Sequence, residues 1–338
     1  MTRGRLAYLP LLAIGLLVSA PTDASAQGRT HAVLIVGLGG SAEFRESFHA
    51  EAATIYRALI DVHGVPAENV TYLGEKVEVD PDMIAMRSTR ANVLQTFGEI
   101  AQRATPMDRL LVVMIGHGTA SGGDVQFNLP GPDLTPGDFL EGLAAFPTQT
   151  LALVHTGSAS GGFVAPLSGP NRILVAATRT ERQLNATEFG QFFAAALAGE
   201  GADLDKDERV SLLEAFLYSR REVERLYEDE NEMLTETAVL DDNGDGELSH
   251  DAGLAGPDGP LAATFVLGGV SGTAGQTPDD PELARLYQER VEIQARIDDV
   301  RALRDQMDET RYLDALEPLL VELALKNREI RALEGGEG

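Results

Sequence analysis

Two glycine-flanked stretches carry the residue types that could do chemistry. Leu110 to Ile115 is an unbroken apolar run ending in Gly116-His117-Gly118. Gln149 to Val154 is a second, running into His155-Thr156-Gly157-Ser158-Ala159-Ser160-Gly161. A serine hydroxyl becomes a nucleophile when a base such as histidine lies within hydrogen-bond reach and takes its proton. The backbone N–H groups of Gly118 and Ser158 would then face a developing oxyanion. The alternative is that His117 and Ser158 merely cap two strand ends. His155, at a strand terminus, reads as a satisfied structural histidine, and the remaining histidines show no metal-ligand spacing.

The elements needed to present these residues can be read around them. Continuous apolar runs fit strands buried on both faces, as in a parallel sheet, whose ligands gather at the carboxyl ends of the strands. Ala32–Gly37 is a first such strand, and the cluster Gly37-Leu38-Gly39-Gly40 its turn. A dinucleotide fingerprint fails there, because Ala42 stands where the third glycine belongs. A helix over 41–63 follows, with Phe44, Phe48, Ala52, Ile55, Tyr56 and Leu59 on one face. Val70–Leu73 is a strand, a polar loop runs through Asp80-Pro81-Asp82, and Ser88-Thr89 caps a helix to about Ala104. Val125–Leu129 suggests a small hairpin. Pro136 sits at a tolerated first helical position, Arg172–Thr178 is a further core strand, and Thr187–Leu197 is a helix. This alternation predicts an α/β, doubly wound sheet.

Composition narrows the functional classes. The chain has 53 Asp and Glu against 27 Lys and Arg, a net charge of −26. Such an excess repels nucleic acids and anionic membrane surfaces, so no nucleic-acid partner is expected. With no cysteine at all, disulfides, thiolate metal sites and cysteine nucleophiles are excluded. Residues 1–26 read as a signal peptide: Arg3 and Arg5, an apolar run from Leu6 to Ala20, then Ala24-Ser25-Ala26. The expectation is an exported protein, periplasmic or secreted, with no membrane span after cleavage.

Strand-His-Gly followed roughly forty residues later by strand-x-x-Ser-x-Ser-Gly resembles the caspase, metacaspase, clostripain and legumain superfamily of cysteine peptidases over about Thr30 to Gly199. The resemblance implies a caspase-like, mostly parallel sheet flanked by helices. It aligns His117 with the general base, Gly118 with the oxyanion-hole glycine and Ser158 with the nucleophilic cysteine. Thr156 falls on the position of an acidic residue. Residues 172–179 resemble the strand lining the relatives' pocket, which casts Arg172, Thr178 and Arg179 as substrate-binding. A thiolate forms readily, since a free thiol has a pKa of ~8.5, whereas a serine hydroxyl needs a well-aligned base throughout. The expected function is therefore that of a catalytically silent pseudopeptidase that binds a peptide or protein partner. An active Ser–His endopeptidase and a calcium-dependent interaction module are the alternatives.

Two acidic loops resemble the EF-hand calcium loop. In residues 203–214, Asp203, Asp205, Asp207, Ser211 and Glu214 supply oxygen at positions 1, 3, 5, 9 and 12, and Arg209 its carbonyl at position 7; Glu208 replaces the turn glycine. In residues 241–252, Asp241, Asn243, Asp245 and Glu247 stand at positions 1, 3, 5 and 7 and Gly246 supplies the turn, but Ala252 replaces the bidentate Glu. Ca2+ is the cofactor this spacing implies; Asp-rich turns capping helices are the plainer reading.

The expected organisation is thus a caspase-like domain over 27–270, including both loops and a last strand over 262–267. A linker over 271–281 and a C-terminal helical segment over 282–338 complete it. In that segment Leu286, Ile293, Ile297, Val300 and Met307 face Leu316, Leu319, Leu323, Ile330 and Leu333 as a helical hairpin, with Pro318 near its start or at a kink. It offers either an internal packing surface or a route to self-association.

Overall fold

The computed structural model describes residues 28–199, 201–204, 206, 209–267 and 309–334, together with positions 282, 285, 286, 289, 290, 293, 296, 297, 300 and 307. The expected signal peptide over 1–26 and the expected linker over 271–281 lie outside the described residues.

Seven strands form one sheet: β1 (Thr30–Val36), β2 (Val70–Gly74), β3 (Ile84–Arg87), β4 (Arg109–Ile115), β7 (Thr150–His155), β8 (Arg172–Ala176) and β9 (Val239–Asp241). Their order is β3-β2-β1-β4-β7-β8-β9, and every pairing is parallel except that of β9 with β8. A separate hairpin, β5 (Gly118–Ser121) with β6 (Asp124–Phe127), rises beyond β4. The apolar runs are explained by burial on both faces. Along β4, Leu111, Val113 and Ile115 enter one core, while Leu110, Val112 and Met114 enter the other.

Helices α1 (Ala42–Arg57), α5 (Phe189–Leu197) and α6 (Leu212–Asp229) contribute to the first core. Helices α2 (Arg90–Arg103), α3 (Pro136–Leu143) and α4 (Val164–Leu167) contribute to the second. Their starts follow local chemistry. Ser41 caps α1 and Thr89 caps α2 through side-chain oxygens, and Thr135 with Asp138 closes a reciprocal capping box around Pro136. The chain therefore folds as α/β, with helices on both faces of a mostly parallel sheet.

Besides β9, which ends where the second acidic loop is expected to begin, two further elements depart from expectation. The loop after Asp82 contains the edge strand β3, where only Ile84 is buried. A strand with a single inward apolar residue leaves almost no periodic signal. The strand expected over 262–267 is instead a short helix, α7 (Pro260–Thr264), followed by one bridge between Val266 and Ser211. Pro260 has no N–H for a ladder and its fixed φ suits a helix's first turn.

At the C-terminus, α8 (Glu309–Glu334) carries Pro318 inside the helix. Tyr312, Leu316, Leu319 and Leu323 pack with Ile293 and Ile297 in a hydrophobic cluster of their own. The two apolar stripes thus meet within one chain.

Candidate functional site

His117 leaves the carboxyl end of β4 and Ser158 follows the carboxyl end of β7, its hydrogen-bonded neighbour. Glycine lets these exits pack against each other. A Cβ on Gly157 would lie 1.6 Å from the Gly116 carbonyl oxygen, and one on Gly118 would lie 2.3 Å from that of Ser158. No larger residue fits either place without moving backbone.

The two chemistry-bearing side chains come from adjacent strands but do not join. Ser158 is buried, 2% exposed, and its hydroxyl is engaged by the backbone of Gly118. The Gly118 N–H donates to Oγ at 3.2 Å, and the hydroxyl donates to the Gly118 carbonyl at 3.2 Å. The N–H that the resemblance assigns to an oxyanion is thereby occupied. His117 makes ring contacts instead, edge-on to Phe44 at 4.5 Å and to Phe48 at 5.0 Å, both from α1. Burial lowers its pKa and so favours the neutral ring.

The His117 ring lines a cavity of about 100 Å³ between α1, the two strand ends and the approach to α5. Phe44, Phe48, Glu51, Thr156 and Glu188 share its wall; Ser158 does not. Burial pushes the Glu51 carboxyl up to about 7, with the nearby Glu188 charge adding and the Ser47 hydroxyl, donating at 3.2 Å, opposing. Glu188 is raised as well, by burial and then by Glu230. Behind them Glu236, 1% exposed, accepts the Glu188 N–H at 2.7 Å and the Phe189 N–H at 3.2 Å at the start of α5; burial raises it to about 7. The site is an acidic pocket with aromatic walls and an imidazole. No family model and no curated protein matches the chain.

Of the residues expected to bind substrate, none lines this cavity. Arg172 opens β8 at the opposite end of the sheet, where its guanidinium donates to the Leu167 carbonyl at 2.7 Å. Thr178 is fully buried; its Oγ1 lies 3.0 Å from the Ser160 hydroxyl and accepts the Gly161 N–H, which braces the Ser158 turn. Arg179 is exposed, and its N–H donates to the Gln183 side chain. His155 is buried as a structural residue, but it is not the fully satisfied histidine the sequence suggests. It is fully buried between Phe127 and Phe163, its Nδ1 accepts the Gly157 N–H, and burial lowers its pKa to about 3. Its Nε2 has no hydrogen-bond partner.

Glu51 and Glu188 escape the sequence reading. Phe44, Ser47, Phe48 and Glu51 fall at i, i+3, i+4 and i+7, one face of α1. A carboxylate continuing the stripe of Phe44 and Phe48 was the available signal. Glu188 has no such marker, since the α5 approach becomes a pocket wall only through the fold.

In the first acidic loop, Asp205 and Asp207 lie outside the described residues. The Asp203 carbonyl accepts from the Lys206 ammonium, and Arg209 leads to the cap of α6. The Glu214 carboxylate accepts from Ser211 N–H and O–H, both at 2.8 Å, and from the Leu204 N–H at 2.9 Å. Ser211 and Glu214 form a capping box that starts α6. In the second loop, the Asn243 side chain accepts the Asp245 N–H and Asp245 accepts the Glu247 N–H; both side chains, and Glu247, are exposed. Among the described residues, no three His, Asp or Glu side chains gather as a metal-binding group.

Proposed function

We propose that this chain is an exported, caspase-like pseudopeptidase that binds a peptide or protein partner through the His117 pocket without cutting it. The observation that carries this reading is the double engagement of the Ser158 hydroxyl by Gly118, outside the cavity that His117 faces. A serine with its proton given to a backbone carbonyl, away from any base, lacks the activation that alcohol nucleophiles require. The pocket chemistry favours a partner presenting a basic side chain. Glu51 and Glu188 offer charge-assisted acceptors for an ammonium or guanidinium, and Phe44 and Phe48 offer ring faces for the same cation.

The test pairs activity with binding. Incubation with a peptide library and with a serine-reactive fluorophosphonate probe is expected to give neither cleavage nor labelling. Peptides carrying Lys or Arg are expected to bind in calorimetry, and Glu51→Gln to weaken them about tenfold, the value of one charged contact. Probe labelling lost on Ser158→Ala would establish the Ser–His hydrolase instead.

A further inference from the structure

The loop that leads into α5 borders the His117 cavity, and a second loop, between α6 and β9, runs beside it. Both carry apolar side chains in solvent: Leu184 is 55% exposed on the first, Met233 85% and Leu234 40% on the second. Hydrogen bonds lace the loops together. The Gln183 side-chain amide donates to the Thr235 carbonyl at 3.1 Å and to the Thr237 hydroxyl at 3.4 Å, and the Glu188 N–H donates to Glu236 at 2.7 Å. Gln183 is itself fixed, since its Oε1 accepts the Arg179 N–H at 2.7 Å and its carbonyl accepts the Ala159 N–H at 2.9 Å. Leu184 directly follows this tie on one loop and Leu234 directly precedes it on the other, so the two leucines sit at adjoining positions. Asn231, left-handed at φ +55°, reverses the chain after α6, and Met233 leaves that turn toward solvent.

The patch is continuous with the cavity. Ala186, Thr187 and Glu188, just beyond Leu184, line it, and Thr187 Oγ1 donates to the Thr156 carbonyl at 2.6 Å, which pins the first loop to the exit of β7. Glu230, shortly before Met233, lies close enough to Glu188 for its charge to raise the Glu188 pKa. Surface leucines scattered singly need no explanation, but apolar groups rimmed by carboxylates and held on tied loops mark a place where a partner docks. Methionine, unbranched and polarisable, adapts to varied apolar partners. Glutamates outnumber arginines on each loop, and Arg182 is paired with Glu181 at 3.6 Å, so this rim attracts a cation rather than an anion.

We propose that Leu184, Met233 and Leu234 form an apolar subsite beside the cavity. The partner is then a peptide segment whose basic residue enters the cavity while an adjoining leucine-like side chain covers the two loops. This rests on the reading of the cavity as a pocket for a basic side chain. The cavity alone accepts any lysine or arginine that reaches it; the subsite adds burial of a neighbouring side chain and so selects among basic segments.

Calorimetry of the full chain with two acetylated, amidated pentapeptides tests this, each with Lys at its centre, one flanked by Leu throughout and the other by Ser. The Leu-flanked probe is expected to bind about tenfold more tightly. Leu184→Ser and Met233→Ser are each expected to remove a few-fold of that advantage while leaving the Ser-flanked affinity unchanged, with circular dichroism checking that both variants are folded. Equal affinity of the two probes, or an advantage that survives both substitutions together, overturns the subsite and leaves the cavity reading in place. A Leu-flanked probe held as well by Glu51→Gln, and as well with norleucine in place of Lys, overturns the cavity reading and the joint recognition with it. Binding of neither probe overturns both. A dimer in sedimentation that Met233→Ser abolishes would assign the patch to a second copy of the chain and overturn the peptide subsite.

Discussion

The two ends of the sheet treat their polar side chains in opposite ways. At the carboxyl end, the hydroxyl that strand order and spacing mark as reactive is satisfied twice over by Gly118. At the amino end of β8, the Asp241 carboxylate is buried with only the Gly244 N–H and the Ser168 hydroxyl beside it, and burial raises its pKa. The first end is tight because glycines at 116, 118 and 157 allow backbone to meet backbone. The second is closed by the loop after β9, which folds Gly244 onto Gly169. Residue types identify where chemistry is feasible; the hydrogen bonds of the fold decide which of those groups remain available.

The sharpest way to break this contrast is to loosen the tight end. Gly157→Ala would drive a methyl into the Gly116 carbonyl and is expected to cost about 3 kcal/mol or more, measured by urea unfolding. Removing the saturated hydroxyl comes next. Ser158→Ala leaves the Gly118 N–H and carbonyl without that partner and should cost about 1–3 kcal/mol, with no change in any background peptidase activity. A loss of turnover would show the hydroxyl to be catalytic rather than structural. Third, Ser211→Ala removes the α6 cap and should cost about 1 kcal/mol, measured by urea unfolding.

A pH dependence of opposite sign for folding and for binding sharpens the comparison further. The Glu51 pKa rises from its ordinary 4.5 to about 7 on folding, so the native state holds a proton that the unfolded chain has lost. Its contribution is fully present below about 4.5 and declines as pH rises toward 7; Glu51→Gln should make the fall in melting temperature across that window shallower, with Glu236, raised likewise, keeping the rest. A bound cation favours the ionised carboxylate, so affinity for a basic peptide should instead climb through pH 7, and the same variant should reduce the climb to the part due to Glu188. Calorimetry at pH 6 and pH 8 reads the difference.

Much of the frame is written locally. The double-faced apolar runs give β1, β4, β7 and β8, and Thr89, Thr135 and Ser211 mark helix starts because a cap needs only its own backbone neighbours. His155 is placed in the core by the strand that ends in it. Arg172 is misread because the sequence shows that β8 begins there but not that this end lies away from the pocket. Glu188 joins the pocket wall only where α5 meets α1.

The sequence by itself determined the α/β class, the absence of any thiol chemistry, the strong negative charge and the placement of His117 and Ser158 after two buried strands. Each follows from composition or from a period that neighbouring residues enforce. Only the tertiary structure decided that Ser158 spends its hydroxyl on Gly118, that His117 shares a pocket with Glu51 and Glu188, and that Asp241 faces Ser168. Hydrogen bonding and desolvation act over a few ångströms between atoms distant in the chain, and spacing along a sequence carries no record of which of those atoms remain without a partner.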